Sequence, residues 1–361
     1  MPPSKELTMR DLARIAGVHQ STVSRALRHQ SCVTSTTQQR ILRLAEKSGY
    51  VQNPLISACM TFRRRLHTAK DAHTTLAYVV MVNHYHPDKI SWRENISVQY
   101  YEGALSQAER RGYQLEPFVI EAGLAAKRPS EILLARNIHG VIVAPLAWEE
   151  SHLDLDWKHF CAVTIGFSLK EPPLYRVSHD YYQGMLLALE ECRKRGRRRI
   201  GFAIDEVENE RIQGYWISAY LFAQQSYPPS ERLVPFMKER GPFDFRAFQR
   251  WVAAEKPDSI ISIPLFKPCE DWHKAIARLS PPVDGIGLDV HDLDESRPGI
   301  HQDRKKIGAA SVDLLISLLE RNQTGPLERA ETLSIAGCWT EGRSQGRDKG
   351  TIGITQRIEP R

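Results

Sequence analysis

The sequence predicts a multi-domain chain in which a small all-α N-terminal domain precedes a larger α/β core. Two observations carry this prediction. Between residues 7 and 50 apolar residues recur at helical spacing, whereas from about Thr74 short apolar runs alternate with helical periods. A chain of 361 residues is also long enough for two or three domains. We therefore expect a headpiece at 1–52, a hinge and linker at 53–73, a core at 74–342 and a flexible tail at 343–361.

The N-terminal segment has the pattern of a helix-turn-helix followed by a third helix. Thr8 is expected to cap the first helix, which would bury Leu12, Ile15 and Ala16 on one face. Gly17 supplies the tight turn that follows. This arrangement makes the segment a candidate for contact with DNA.

The second helix is predicted to run from Gln20 to about Arg28, with Val23, Ala26 and Leu27 facing inward. Its other face is polar and basic, and comprises Gln20, Ser21, Thr22, Ser24, Arg25 and Arg28. Side chains of these types hydrogen-bond to base edges and phosphates. The alternative interpretation is a small helical domain with a solvated basic face.

The charge distribution favours the DNA interpretation. Residues 1–70 hold 12 lysines and arginines against 3 acidic residues, while the other 291 residues hold 37 against 40. The net charge of +6 therefore arises in the segment expected to meet a polyanion. No apolar run is long enough to span a membrane, and six scattered cysteines favour a reducing cytoplasm over a disulfide framework.

The core is expected to consist of α/β units on parallel sheets. Apolar runs predict strands at 76–82, 114–119, 141–144, 162–165, 200–203, 260–263 and 283–288. Helical periods predict helices at 97–111, 181–195, 211–225, 245–254 and 305–320. The sequence carries no glycine-rich phosphate loop, no nucleophile elbow and no zinc-ligand spacing, so we predict no enzyme, cofactor or metal.

Several phrases of the N-terminal segment resemble the DNA-binding headpiece of the lactose-repressor (LacI) type transcription factors. These are Ala16-Gly17-Val18, Thr22-Val23-Ser24-Arg25, Leu27, Val33 and Gly49-Tyr50. The resemblance implies that the second helix enters the major groove and that Gln20, Ser21 and Arg25 read bases. It also implies phosphate contacts by Thr8, His19, Thr22 and Ser24. Glutamine can pair with adenine and arginine with guanine, which agrees with these roles.

The family's next element is a hinge that inserts a leucine into the minor groove. Asn53 falls on a family-like position, but Cys59 and Met60 stand where the family usually has the wedging leucine. Methionine is flexible and apolar, so Met60 is a candidate wedge. The basic run 63–65 would lie near the DNA backbone, or would be an exposed linker.

The core also resembles this family, whose two-lobed α/β core is similar to periplasmic sugar-binding proteins. The phrases that carry the likeness include Tyr101-Glu-Gly103, His139-Gly-Val-Ile142, Gly196-Arg-Arg-Arg-Ile-Gly201 and Gly285-Ile-Gly-Leu-Asp289. The family's topology implies one lobe of about 74–178 plus the helix after Asp303. It implies a second lobe of about 179–299 plus the last strand near 332–338.

In that architecture an effector binds between the lobes. Arg211, opening a helix, and Asp289, ending a strand, match the family's effector-gripping arginine and its acidic partner. Together they suit a small polar ligand such as a sugar, or else form an interlobe salt bridge. Four aromatic residues could stack on sugar faces or could serve packing: Tyr85, Trp92, Tyr100 and Phe167.

These observations together predict an effector-responsive DNA-binding regulator, which we expect to act as a repressor. Two-fold symmetry predicts a homodimer on a pseudo-palindromic, double-stranded operator. The polar, glycine-rich tail lacks apolar heptads, which argues against a tetramer. Two alternatives stay open: a regulator controlled by a protein partner rather than a small molecule, and an enzyme fused to a DNA-binding headpiece.

Overall fold

The computed structural model describes residues 9–27, 34–48, 74–82, 97–121, 127–146, 150–263, 276, 278, 279, 283–290 and 298–342. The chain divides into two compact units. One is Met1–Thr74 with Ser317–Gln323, and the other is Thr75–Ile316 with Thr324–Arg361. The first unit contains the three N-terminal helices α1 (Met9–Ala16), α2 (Gln20–Leu27) and α3 (Ser35–Lys47).

The turn between α1 and α2 has the hydrogen bonds of a Schellman motif. The Val18 amide donates to the Ala13 carbonyl at 3.1 Å, and the Gly17 amide donates to the Arg14 carbonyl at 3.2 Å. Gly17 has φ +61°, a conformation that costs glycine little. The turn predicted at Gly17 is therefore confirmed, and it sets the direction in which α2 leaves α1.

The three helices enclose a small core. Leu12 and Ala16 of α1 pack with Val23 and Ala26 of α2, all nearly inaccessible to solvent. The prediction that Ile15 joins this face is wrong, since its side chain is 55% exposed. At 100° per residue, the buried stripe of α1 passes through positions 12, 13 and 16, and Ile15 falls outside it.

Two polar side chains of α3 hold the ends of the other two helices. Arg40 donates to the carbonyl of Ala16 at 3.1 Å, and Gln38 donates to the carbonyl of Ala26 at 3.3 Å. Helix C-terminal carbonyls lack partners within their own helix and attract donors and positive charge. The third helix therefore fixes the helix-turn-helix by polar contacts as well as by Ile41 and Ala45 in its core.

The second unit alternates strands and helices over most of its length. Its strands are β1 (Thr74–Val82), β2 (Tyr113–Glu121), β3 (Gly140–Val143), β4 (Cys161–Ile165), β5 (Tyr175–His179), β6 (Ile200–Asp205), β7 (Phe236–Lys238), β8 (Ser259–Ser262), β9 (Asp284–Val290), β10 (Gly299–His301), β11 (Thr332–Ile335) and β12 (Cys338–Thr340). Its α-helices are α4 (Ser97–Arg110), α5 (Lys127–Ala135), α6 (Tyr181–Lys194), α7 (Glu206–Arg211), α8 (Tyr215–Gln224), α9 (Phe245–Glu255) and α10 (Arg304–Arg321). Short 3₁₀ turns occur at Trp157–His159 and Pro229–Glu231.

These strands form two six-stranded sheets, one in each lobe. The order is β11-β5-β4-β3-β1-β2 in the first sheet and β12-β10-β9-β8-β6-β7 in the second. Neighbours such as β3 and β4, or β8 and β9, run parallel, while β12 runs antiparallel to β10. The predicted fold class, an α-helical headpiece followed by a two-lobed α/β core, is confirmed.

The last strand differs from the prediction. Residues 332–338 were expected to join the second lobe as one strand, but β11 pairs with β5 in the first sheet and only β12 joins the second. Strands β5, β7 and β10 were not predicted at all. Strands β7 and β10 have only three residues each, which is too short for a recognisable apolar pattern. In β5, Arg176 and His179 interrupt the apolar run that would predict a buried strand.

Helix α10 packs closely on α4 of the first lobe because each helix carries a glycine at the contact. A Cβ atom at Gly103 would overlap the Lys305 carbonyl oxygen, and one at Gly308 would overlap the Tyr100 carbonyl oxygen. Asp313 of α10 also accepts hydrogen bonds from Gln107 at 2.8 Å. The helix after Asp303 therefore packs against the first lobe, as the family's topology implied.

The chain passes between the lobes after β5, after β10 and after β11. His179, at the end of β5, lies where these crossovers meet, and a Cβ at Gly337 would come within 2.7 Å of both its ring and the His301 carbonyl oxygen. Burial lowers the pKa of His179 to about 4, so the imidazole is neutral at ordinary pH. The crossovers are tightly packed against one another, and side-chain size is restricted there.

Candidate functional site

The exposed face of α2 is the first candidate site. Arg25 and His19 are exposed, while Gln20 and Thr22 are half-buried. The His19 carbonyl accepts from the amides of Thr22 and Val23 at 2.9 and 3.3 Å, so His19 stands at the N-terminus of α2. Ser21 and Ser24 lie within α2.

This arrangement presents donors and acceptors away from the headpiece core. Val23 and Ala26 are fully buried on the opposite face, which fixes the rotation of α2 about its axis. The remaining residues predicted to contact DNA lie outside the described residues: Thr8, Arg28, Asn53, Cys59 and Met60.

The second candidate site is a cavity between the two lobes of the core. Its walls come from the first lobe, the second lobe and the crossover after β10, and are formed by Tyr100, Pro145, Gly166, Phe167, Ser168, Tyr181, Glu208, Arg211, Ile212, Trp216, Asp289 and Gln302. The cavity and its mouth enclose about 570 Å³. Small-molecule sites commonly combine apolar walls with a few polar groups, as this cavity does.

Arg211 lines this cavity, but at a different place in its helix than predicted. It is the last residue of α7, not the first residue of a helix covering 211–225. Gln213 and Gly214 both have positive φ, 58° and 70°, and this turn separates α7 from α8. The side chain reaches across to the first lobe, where Nη2 donates to the Leu146 carbonyl at 2.6 Å.

Asp289 also lines the cavity, and its ion-pair partner is Arg304. The distance from Asp289 Oδ1 to Arg304 Nη2 is 2.5 Å, and the two side chains are only 5% and 3% exposed. Arg304 also donates to Gln99 Oε1 at 3.2 Å. Burial raises the pKa of Tyr100 to about 12, although the positive charge of Arg304 opposes the rise. The ion pair thus joins an acidic residue of the second lobe to an arginine at the start of α10.

Aromatic rings form much of the remaining wall. Phe167 lies 6.0 Å from the ring of Tyr181, and Tyr181 stands edge-on to Trp216 at 5.0 Å. The guanidinium of Arg176 lies 4.5 Å from the centre of the Phe167 ring and holds it from one side. Tyr100 and Phe167 are brought together here as predicted residues of one cavity, whereas Tyr85 and Trp92 lie outside the described residues.

Several residues of this wall were not predicted from the sequence, among them Tyr181, Trp216 and Glu208. Glu208 precedes Arg211 by three residues, so the two side chains share a face of α7. That spacing was the available signal. Burial raises the pKa of Glu208 to about 7; Arg211 opposes the rise, and Asp289 and Asp205 add to it. The cavity therefore contains a carboxyl group that changes charge near neutral pH.

The described residues contain no group of three or more side chains that could hold a metal ion. Among the helices in the described part of the chain, none is long and apolar enough to cross a membrane.

The described residues contain a helix-turn-helix unit and a two-lobed α/β core with an interlobe cavity. The model of the family "Bacterial regulatory proteins, lacI family" matches residues 8–53. The "HTH-type transcriptional regulator TreR" of Salmonella typhimurium is 27% identical over 199 residues, which are 54% of this chain. The match spans 56% of that relative's length. Residues 8–53 of this chain are thus similar to the DNA-binding domains of the lacI family of bacterial regulatory proteins.

Solved structures agree on the fold across almost the whole chain. The lac repressor dimer bound to operator and the anti-inducer ONPF has a TM-score of 0.51 at 17% identity, covering 94% of this chain and 99% of that one. The transcriptional regulator CelR in complex with cellobiose has a TM-score of 0.51 at 20% identity, covering 94% and 100%. At these identities the likeness concerns the fold.

Proposed function

We propose that this protein is a sequence-specific DNA-binding regulator of transcription, acting as a repressor whose affinity for its operator changes when a small polar ligand binds between the lobes. The observation that carries the proposal is the match of residues 8–53 to the lacI family, together with a second helix that buries Val23 and Ala26 and exposes Arg25. Gln20, Ser21 and Arg25 are assigned to bases, and His19, Thr22 and Ser24 to phosphates.

Outside the described residues, we assign Thr8 and Arg28 to the same interface, and Asn53, Cys59 and Met60 to a hinge that contacts the minor groove. The regulator binds as a homodimer, since two identical headpieces match a pseudo-palindromic operator. Contact with bacterial DNA requires a cytoplasmic location. The function involves no turnover: binding energy alone couples the ligand to DNA.

The ligand is a sugar or sugar derivative. Its support is the chemistry of the cavity, where aromatic rings lie beside carboxylate, guanidinium and hydroxyl groups. The transcriptional regulator CelR, which shares this fold at 20% identity, is known in complex with cellobiose. Arg211 is assigned to the ligand because a guanidinium offers several donors, and the aromatic assignments are Tyr100, Phe167, Tyr85 and Trp92.

The test is selection of binding sites from random double-stranded DNA by the full-length protein. We expect a two-fold symmetric site, with each half read by one headpiece. Recovery of unrelated sequences, or of asymmetric sites, would contradict the proposal. Measuring mass in solution with and without the selected DNA checks the dimer separately.

A further inference from the structure

One carboxyl oxygen of Glu208 is buried in the wall of the interlobe cavity. Its Oε2 atom is shielded from solvent and has no hydrogen-bond partner within the described residues. The residue lines the interlobe cavity. A buried acceptor without a partner lowers stability, so such a group in a cavity wall points to a donor that arrives with a ligand.

The other charged groups near Glu208 are already engaged. Asp289, at the end of β9, pairs with Arg304 at 2.5 Å. Asp205, at the end of β6, pairs with Lys238 of β7 at 2.7 Å. Arg211, on the same helix, donates to the Leu146 carbonyl. Tyr181, at the start of α6, is neutral because burial raises its pKa above the usual value.

We propose that Glu208 selects the ligand of this cavity by accepting a hydrogen bond from a hydroxyl group of an uncharged, polyhydroxylated molecule. The inference rests on the proposed function, since it names the chemistry of the same ligand more narrowly. A phosphorylated sugar with its anionic group at this wall would meet the carboxylates of Glu208 and Asp289, and like charges at short distance repel.

The ionisation of Glu208 predicts how the affinity for the ligand changes with pH. A hydroxyl donor binds the ionised carboxylate more strongly than the neutral acid, because charge-assisted hydrogen bonds are the stronger kind. An uncharged sugar therefore binds more tightly as pH rises through the pKa of about 7. An anionic ligand has the opposite dependence, since it prefers the protonated carboxyl. His179, with its pKa near 4, and the neutral Tyr100 and Tyr181 add no change of charge between pH 6 and 8.

The experiment measures Kd by calorimetry on the full-length protein at pH 6 and pH 8. The probes are neutral glucose disaccharides, cellobiose among them, and their 6-phosphates. We expect at least one neutral disaccharide to bind about tenfold more tightly at pH 8, since a carboxyl with a pKa of about 7 is roughly one-tenth ionised at pH 6 and roughly nine-tenths ionised at pH 8.

Three variants test whether Glu208 causes the pH dependence of Kd. Glu208→Gln should bind the same disaccharide equally at both pH values, and about tenfold more weakly than wild type at pH 8. Glu208→Asp keeps an ionisable group and should retain the pH dependence at lower affinity. Glu210→Gln is the matched control, because Glu210 is exposed on the same helix and pairs with Arg240; it should behave as wild type.

Three results overturn the inference: binding of the 6-phosphates alone, binding of none of the probes, or a pH dependence that persists in Glu208→Gln. None of these bears on DNA recognition. If selection recovers a symmetric operator, the proposed DNA-binding function stands even when the assignment of Glu208 fails. If selection fails but a disaccharide binds with the expected pH dependence, the assignment of Glu208 stands and the proposed DNA-binding function fails.

Discussion

The ion pair of Asp289 and Arg304 places two opposite charges beside the interlobe cavity with almost no access to water. Each charge is stabilised by the other, and Arg304 is further tied to Gln99 of α4. Loss of one partner leaves the other buried and uncompensated, which is among the more costly changes a core can undergo. Asp289 thus has a structural role in addition to any contact with ligand.

We expect Asp289→Ala to lower the free energy of unfolding by about 3–5 kcal/mol. The reason is the unpaired guanidinium of Arg304. Urea unfolding of the full-length protein measures the loss, and the double variant Asp289→Leu with Arg304→Met should recover much of it. An Asp289→Ala protein as stable as wild type would contradict a structural role for the pair.

Arg25 is the residue of α2 best placed for specific base contact, since it is exposed on the face opposite Val23 and Ala26. Arg25→Ala should cost about 1–3 kcal/mol in operator binding and relax the preference at one base pair in each half-site. Binding measured against a set of single-base operator variants tests this. Arg43→Ala, at an exposed position of α3, serves as the control. Uniform weakening on all sequences would make Arg25 a phosphate contact instead.

At the scale of elements, the contact between α4 and α10 depends on two glycines. Gly308→Ala would gain about 1 kcal/mol in helix propensity. The added methyl group meets the Tyr100 carbonyl oxygen, however, and overpacking against backbone costs about 1–3 kcal/mol. Because the cost of overpacking exceeds the gain in helix propensity, we expect Gly308→Ala to lower the free energy of unfolding by about 1–2 kcal/mol.

Thermal and urea unfolding measure the effect of Gly308→Ala. Lys306→Ala is the matched control, because Lys306 is exposed on the same helix and its replacement tests helix propensity alone. If both variants gain stability, α10 can move away from α4 without cost, and the close approach of the two helices is unimportant.

At the scale of the whole core, Arg211 connects the lobes through its hydrogen bond to Leu146. A ligand shifts the balance between two arrangements of the lobes only if it binds them with different affinity. Arg211→Ala removes a contact available to the ligand while Asp289 keeps its partner Arg304, and it raises the pKa of Glu208 further because the nearby positive charge is lost. We expect operator affinity within a few-fold of wild type and loss of the ligand's effect on it.

Operator titrations with and without the disaccharide identified by calorimetry measure this coupling for Arg211→Ala. Retention of the full ligand effect would remove Arg211 from the ligand site. Earlier melting with undiminished ligand binding would instead mark its bond to Leu146 as a structural link between the lobes.

Much of this protein follows from local sequence pattern. The three-helix unit, the turn at Gly17 and most strands of the core were predicted, because apolar spacing and glycine conformation act over a few residues. Gly112 and Gly196, which follow α4 and α6, both have positive φ, the conformation typical of a glycine after a helix. Arg211, Asp289, Tyr100 and Phe167 were named as ligand residues, and all four line one cavity.

Tertiary structure decided what those residues contact. The partner of Asp289 is Arg304, 15 residues further along the chain and on a helix packed against the other lobe, and no periodicity signals such a pairing. The division of 332–340 between two sheets depends on which strand edges are free after the lobes have formed. Glu208 acquires its raised pKa only when folding removes it from water beside Asp289 and Asp205. Local pattern fixes the elements because their forces are short-range, whereas pairing and desolvation depend on parts of the chain that meet only in the folded protein.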